Sequence, residues 1–170
     1  MSEKLEQLNN ASTEIAKSSF LDCCGSNNWA RKMTQARPFA GVSVLLEKAE
    51  KIWQGLDAQD WLEAFAAHPK IGAKKAAPTQ QAQSAKWSGS EQSGTNTAAE
   101  SVLKRLGEAN RLYENRFGFI FIVCATGKSA EEMLELCRAR LSNEADAEIR
   151  IAADEQRKIT EIRLKKLLES

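Results

Sequence analysis

Apolar residues recur every three to four positions along most of this chain, which is the spacing of one face of an α-helix. The clearest run begins at Val42 and ends at Gly55, a residue suited to a helix C-terminus, and its apolar members are Leu45, Leu46, Ala49, Ile52 and Trp53. Alternating β-branched residues, which would indicate strands, are nearly absent. The pattern therefore predicts an all-α protein.

Start and stop signals place the ends of the other predicted helices. Arg37-Pro38 stops one helix, Asp57 is a suitable N-cap for another, and Ser129 with Glu132 forms a capping box for a third. The predicted helices cover residues 12–20, 28–36, 42–54, 58–67, 98–121, 130–141 and 144–167. We predict a single compact helical domain, residues 1–170, with roughly seven to nine helices.

Two segments depart from this pattern. Lys70 to Thr97 is rich in Ala, Gln, Ser and Lys and poor in apolar residues, which predicts a long loop or a linker between two helical halves. Phe117 to Ala125 is the most apolar segment of the chain. Its pattern alone fits a short strand, but predicted helices flank it, so we predict a buried helix end.

Charge and hydropathy exclude several classes of partner. The formal net charge is +1, and no basic stretch is strong enough to predict nucleic-acid binding. No apolar run is long enough to cross a bilayer, and the polar stretch Met1 to Asn10 lacks the apolar core of a signal peptide. These features predict a cytoplasmic protein whose partner is a small neutral or anionic molecule.

The cysteines and the histidine predict no metal site. Of four cysteines, Cys23 and Cys24 are adjacent, and none forms a C-x-x-C pair. His68 is the single histidine, so a zinc site would need Cys or carboxylate ligands at a spacing that the chain does not offer. We therefore predict reduced thiols and no metal.

His68 is nevertheless a candidate for chemistry. It precedes Pro69, and because the residue before a proline is disfavoured in α conformation, the helix is expected to end at Ala67 or His68. An imidazole on such a turn titrates near neutral pH and can transfer protons. A lone histidine at a helix end is a common structural feature, however, and the local pattern alone favours a capping or core role.

The run Ser88-Gly89-Ser90-Glu91-Gln92 also has two interpretations. Ser88 and Glu91 fit the S-x-x-E capping box, which spacing alone favours. Alternatively the run forms a polar pocket wall in which Glu91 partners His68 and Gln92 binds an amide-rich ligand. Both interpretations can hold together, because a helix N-terminus also binds anions.

Taken in order, the motifs resemble one enzyme family. They are Gly25-Ser26, Trp29-Ala30, Met33, Arg37-Pro38-Phe39, His68-Pro69-Lys70-Ile71-Gly72, Ser88-x-x-Glu91-Gln92-x-Gly94, Asn110-x-x-Tyr113-x-x-x-Phe117-Gly118-Phe119-x-Phe121 and Ile159-Thr160-x-Ile162-Arg163-Leu164. Their order and spacing, from about Ser19 to Leu168, are similar to those of the 2-oxo-4-hydroxy-4-carboxy-5-ureidoimidazoline (OHCU) decarboxylases. This resemblance reverses the preference for structural roles at His68 and Glu91.

The resemblance implies an all-α, cofactor-free homodimer that releases CO2 from the ureidoimidazoline to give (S)-allantoin in uric acid degradation. It implies that His68 transfers the proton, that Glu91 orients and charges the imidazole, and that a further set of residues contacts the substrate. That set comprises Pro69, Ser88, Gln92, Arg163 and the main chain of Phe121, Ile122, Val123, Cys124 and Ala125. The alternative is a non-enzymatic helical module that binds a partner protein through its polar central loop.

Overall fold

A computed structural model describes residues 2–72 and 79–169, and in these ranges the chain forms helices and no strand. The α-helices are α1 (Glu3–Asn10), α2 (Thr13–Cys23), α3 (Asn27–Gln35), α4 (Val42–Gln54), α5 (Ala58–Ala66), α6 (Ala82–Glu91), α7 (Glu100–Phe117), α8 (Ala130–Arg140) and α9 (Ala145–Glu169), with a 3-10 turn at Ser93–Thr95. The predicted all-α class is confirmed. No helix in the described part of the chain is long and apolar enough to cross a membrane.

The chain divides into two compact units, of which the first is Met1–Ala64 with Arg157–Ser170 and the second is Phe65–Gln156. The prediction of one domain for residues 1–170 stays a prediction. In the first unit, α2 packs on α3 and α3 on α4. In the second unit, α7 packs on α8.

Aromatic rings and one arginine organise the first unit. The Phe20 ring meets Trp29 and Phe39 edge-on, at centroid distances of 5.9 and 6.3 Å. The Arg37 guanidinium, just before the cis peptide to Pro38, donates to the carbonyls of Leu8 and Ala11, at 2.8 Å each. These carbonyls belong to the end of α1, so the arginine satisfies groups that a helix C-terminus leaves unpaired.

The core of the second unit comes mainly from α7, α8 and the segment between them. Its buried members are Val102, Leu106, Ala109, Tyr113, Phe121, Val123, Ala125, Ala130, Met133, Leu134 and Cys137. The predicted capping box at Ser129 and Glu132 is present in the structure and starts α8. This core includes Phe121, Val123 and Ala125, three residues of the segment that the resemblance assigns to substrate binding.

Three predictions about secondary structure were wrong. The N-terminal stretch forms α1, whose Leu5 and Leu8 are buried, although its remaining residues are too polar for the pattern to stand out. The predicted loop contains α6, which was missed because its buried side chains include the small polar Ser84 and Ser88. The predicted helix end after Phe117 is irregular chain, since Gly118 has a φ of 79° and ends α7 in the left-handed conformation.

The buried thiol of Cys24 makes the first unit sensitive to alkaline pH. Burial is the main reason that its pKa rises from an ordinary 9.0 to about 12. A group with a raised pKa in the folded state binds its proton more tightly there than in the unfolded chain. The protonated Cys24 thiol therefore stabilises the folded protein fully below pH 9, and this stabilisation is lost as pH rises toward 12. The loss should be about 1.4 kcal/mol per pH unit in that window.

We therefore expect the unfolding free energy to fall between pH 8 and pH 10.5, with about 2 kcal/mol of the loss due to Cys24. Urea denaturation of the wild type and Cys24→Ala at both pH values measures this contribution. The pKa values of the buried groups Cys137 and Tyr113 are also raised. Both groups are present in both proteins, so their contributions to the pH dependence of the unfolding free energy cancel in the comparison. Equal losses in the two proteins would contradict the assignment to Cys24.

Candidate functional site

His68 lies on the turn after α5, which ends at Ala66, one residue earlier than predicted. The turn is closed by a hydrogen bond from the His68 amide to the Phe65 carbonyl, at 3.1 Å. The half-buried imidazole places Nε2 2.6 Å from Oε1 of Gln156, which is fully buried on α9. Because an amide oxygen only accepts hydrogen bonds, this contact requires a proton on Nε2.

The residue before Gln156 reaches the segment between α7 and α8. The Glu155 carboxylate accepts a hydrogen bond from the Cys124 amide, at 3.3 Å. Two consecutive residues of α9 therefore contact the candidate catalytic imidazole and the segment predicted to bind substrate. Sequence reasoning missed both residues. The sequence did contain a signal for Gln156. It lies four positions after Ala152 and three before Ile159, so it is a polar residue on the apolar face of the helix.

The Phe121–Ala125 segment is buried, irregular chain, with every residue less than a tenth exposed. Some of its main-chain groups are already paired within the protein. The Ile122 carbonyl accepts from Arg140 Nη1 at 2.6 Å, and the Cys124 carbonyl accepts from Lys128 Nζ at 2.6 Å. The main chain of Val123, by contrast, makes no hydrogen bond with the part of the chain that the structure describes.

Buried main-chain N–H and C=O groups nearly always have a hydrogen-bond partner. Val123 is only 6% exposed, and no residue in the described part of the chain pairs with its main-chain groups. An amide-rich molecule offers the complementary donors and acceptors. A role of this segment in substrate binding stays a prediction.

The polar run at residues 88–92 lies at the end of a helix and not at the start of one, as the capping-box spacing had predicted. Ser88 lies inside α6 and Glu91 is the last residue of that helix, so the predicted N-terminal capping box was wrong. Both side chains are on the buried side of α6, at 2% and 8% exposure. Ser88 Oγ accepts from Gln80 Nε2 at 2.8 Å, and Gln92 Oε1 accepts from the Gly72 amide at 2.9 Å.

The charge of Glu91 acts on the Phe121–Ala125 segment. Burial is the main cause that raises the pKa of the Cys124 thiol, and the carboxylates of Glu155 and Glu91 raise it further against the opposing effect of Lys128. The thiol is therefore protonated at neutral pH and a poor nucleophile. Glu91, Glu155 and Cys124 form one polar cluster in the second unit.

Pro69 and Arg163 complete the predicted set. Pro69 follows the candidate imidazole and is half-buried. Arg163 belongs to the first unit, where it is 2% exposed and donates to the Asp22 carbonyl at 3.3 Å. Burial raises the pKa of the Asp22 carboxyl, and the positive charge of Arg163 counteracts that rise. A substrate contact by Arg163 stays a prediction.

A cavity in the first unit contains none of the predicted site residues. It has a volume of about 140 Å³ and is lined by Leu46, Glu47, Ala49, Glu50, Trp53, Arg157, Thr160, Glu161 and Leu164. The better candidate site is in the second unit, where adjacent residues of α9 contact the His68 imidazole and the Cys124 amide, and where the Glu91 carboxylate is buried. Within residues 2–72 and 79–169, no group of three or more His, Cys, Asp or Glu side chains is arranged to hold a metal ion.

Comparison with known proteins points to one family. The OHCU decarboxylase family model matches residues 9–165. The uric acid degradation bifunctional protein TTL of Arabidopsis thaliana is 40% identical over 155 residues, which are 91% of this chain and 48% of that protein. The bifunctional protein PucL of Bacillus subtilis is 25% identical over 94% of this chain and 32% of that protein. The chain thus spans about half, or about a third, of these larger relatives.

A solved structure covers this chain over nearly its full length. The crystal structure of an OHCU decarboxylase in the presence of (S)-allantoin matches with a TM-score of 0.78 and 38% sequence identity, over 94% of this chain and 100% of that one. The OHCU decarboxylase of Haloferax volcanii is 24% identical over 94% of this chain and 93% of that protein. With the family model matching most of its residues, this chain belongs to the OHCU decarboxylase family.

Proposed function

We propose that this chain decarboxylates 2-oxo-4-hydroxy-4-carboxy-5-ureidoimidazoline and releases (S)-allantoin, as a step of uric acid degradation. One observation carries the proposal for the site. Consecutive residues of α9 bind the His68 imidazole, at 2.6 Å, and the Cys124 amide, at 3.3 Å. The candidate imidazole and the candidate amide-binding segment are thus held by adjacent residues of one helix, which supports a shared site.

The proposed reaction needs few groups. When the bond to the carboxylate breaks, the electron pair passes into the conjugated ring of the substrate, so the ring itself serves as the electron sink. The protein has to hold the carboxylate out of the ring plane and then deliver a proton to one face of the ring carbon. An imidazole, with an ordinary pKa near 6.5, suits that proton transfer at neutral pH.

In this proposal the other predicted residues position the substrate. Ser88 and Gln92 contact its polar edge, the main chain of Phe121–Ala125 binds its ureido and ring amides, and Pro69 shapes the pocket beside the imidazole. Glu91 lies in the polar cluster with Cys124. On the family resemblance it is assigned the role of orienting the imidazole and favouring its protonated form. Arg163 is assigned a contact with the substrate on the family resemblance.

The stereochemistry of the product tests the proposal. Freshly made substrate loses CO2 slowly in water, and protonation there has no preferred face, so the background reaction gives a racemic product. We expect the protein to accelerate CO2 release and to yield (S)-allantoin, as read by chiral chromatography. A racemic product at the background rate would reject the proposal and favour the helical interaction module.

Gln156 should act on the rate by holding the His68 ring. Gln156→Leu keeps the approximate volume of the side chain but removes the hydrogen bond, which is typically worth about 1 kcal/mol, so kcat should fall about fivefold. Gln156→Glu keeps an acceptor and adds a negative charge, which favours the imidazolium.

The pH profiles separate this role from a purely structural one. Because His68 delivers its proton as the imidazolium, we expect the alkaline limb of the kcat profile to move to higher pH in Gln156→Glu. In Gln156→Leu we expect a lower kcat with that limb still present. Circular dichroism and the unfolding midpoint serve as controls for folding. Unchanged profiles in two folded variants would show that Gln156 does not hold the imidazole.

The homodimer and the absence of a cofactor, which the resemblance implies, stay predictions, as does the cytoplasmic location predicted from the sequence.

A further inference from the structure

Arg140, at the end of α8, holds the peptide group at the centre of the Phe121–Ala125 segment. Its Nη1 donates to the Ile122 carbonyl at 2.6 Å, and its guanidinium carbon lies 4.7 Å from the centroid of the Phe121 ring. The side chain is buried, with the residue only 8% exposed. A buried arginine in contact with a carbonyl and a ring face at once has little freedom to move.

Glu148 fixes the other side of the guanidinium. Arg140 Nε donates to Glu148 Oε1 at 2.7 Å, and Asn143 Nδ2 donates to Glu148 Oε2 at 2.9 Å. The Tyr113 hydroxyl also donates to Glu148 Oε1. Burial, and then this hydrogen bond, raise the pKa of Tyr113, so the phenol keeps its proton. The buried carboxylate therefore has donors on both oxygens, and the ion pair is fully satisfied.

The position of the cation has an electronic consequence. A positive charge at the Ile122 carbonyl oxygen withdraws electron density along the Ile122–Val123 peptide and makes the Val123 N–H a stronger donor. This N–H belongs to a residue that is 6% exposed and whose main chain makes no hydrogen bond with the described part of the chain. The protein thus fixes the carbonyl side of this peptide, and no described residue accepts a hydrogen bond from its amide side.

We propose that Arg140 is a positioning residue for ligand binding, which orients and polarises the Ile122–Val123 peptide so that the Val123 N–H donates to a carbonyl or carboxylate oxygen of the ligand. The identity of that ligand rests on the proposed function. The role of Arg140 does not depend on His68, because binding of an uncharged product such as (S)-allantoin needs no proton transfer.

The first test is spectroscopic and uses the wild-type protein. On titration with (S)-allantoin, we expect the Val123 amide proton to move downfield, as a donor does when it gains an acceptor. The exposed amide of Glu135 on α8 should not move and serves as an internal reference. Binding of (S)-allantoin with a stationary Val123 signal would overturn the proposal.

The second test removes the arginine without leaving a buried carboxylate unpaired. In Arg140→Gln/Glu148→Gln, the dissociation constant for (S)-allantoin, measured by calorimetry, should rise about tenfold, with KM affected more than kcat. Arg140→Lys should recover part of the affinity, because an ammonium can still donate to the Ile122 carbonyl. Arg138→Gln removes the same charge from an exposed position of α8 and should bind as the wild type does.

The outcomes separate this proposal from the proposed function. A wild type that neither binds (S)-allantoin nor forms it would reject the proposed function. A wild type that does both, with unchanged affinity in the folded double variant, would reject the role of Arg140 alone. If the double variant does not fold, the Val123 signal of the wild type decides.

Discussion

His68→Asn is expected to lower kcat by about two to four orders of magnitude, the usual contribution of a general acid–base group. Asparagine keeps a polar side chain that can still meet Gln156, but it cannot exchange a proton near neutral pH. The affinity for (S)-allantoin should change little, because the proposed function assigns binding to the main chain of the Phe121–Ala125 segment and not to the imidazole. Rates of CO2 release and the chirality of the product measure the loss.

A neighbouring substitution provides the control for His68→Asn. Lys70 lies two residues further along the same loop, with its ammonium 2.8 Å from the Glu114 carboxylate and 58% of its side chain exposed. Exposed ion pairs contribute little, so Lys70→Gln should leave kcat near the wild-type value. A folded His68→Asn protein with wild-type turnover would remove the imidazole from the mechanism.

Gly94→Ala is expected to disturb both stability and ligand binding. A Cβ at this position would lie 2.1 Å from the Lys128 carbonyl oxygen, which is a main-chain atom and cannot rotate away. Relief requires the Ser93–Thr95 turn or the chain at Lys128 to shift, at a cost of about 1–3 kcal/mol. Lys128 also donates to the Cys124 and Ala125 carbonyls, so the shift should reach the candidate site.

The matched control is Gly89→Ala in α6, where a Cβ would have no neighbour within 4 Å. Alanine favours a helix over glycine by about 1 kcal/mol, so this variant should be as stable as the wild type or slightly more stable. Thermal unfolding and (S)-allantoin calorimetry compare the two variants. Equal stability and affinity for both would show that the chain at Gly94 adapts without cost.

The sequence alone was sufficient to predict the helices that have a capping motif or a regular stripe of apolar residues. α4 begins at Val42 as predicted, and Ser129 with Glu132 starts α8, because a cap or an apolar stripe involves residues only three or four positions apart. The motifs also sufficed for the family, since their order and spacing are properties of the chain. His68, Ser88, Glu91 and Gln92 were named as candidates on that basis, and their chemical roles await the experiments above.

Only the tertiary structure decided how these candidates are held. Gln156 meets His68 across 88 positions of sequence, and Arg140 meets the Ile122 carbonyl across 18, and no local pattern encodes such contacts. α6 was missed because its buried face is polar, so a method that looks for apolar stripes finds none. The spacing of apolar residues predicts which side chains are buried in a hydrophobic core. It does not predict the burial of a polar side chain, because that depends on a hydrogen-bond partner that the fold brings close.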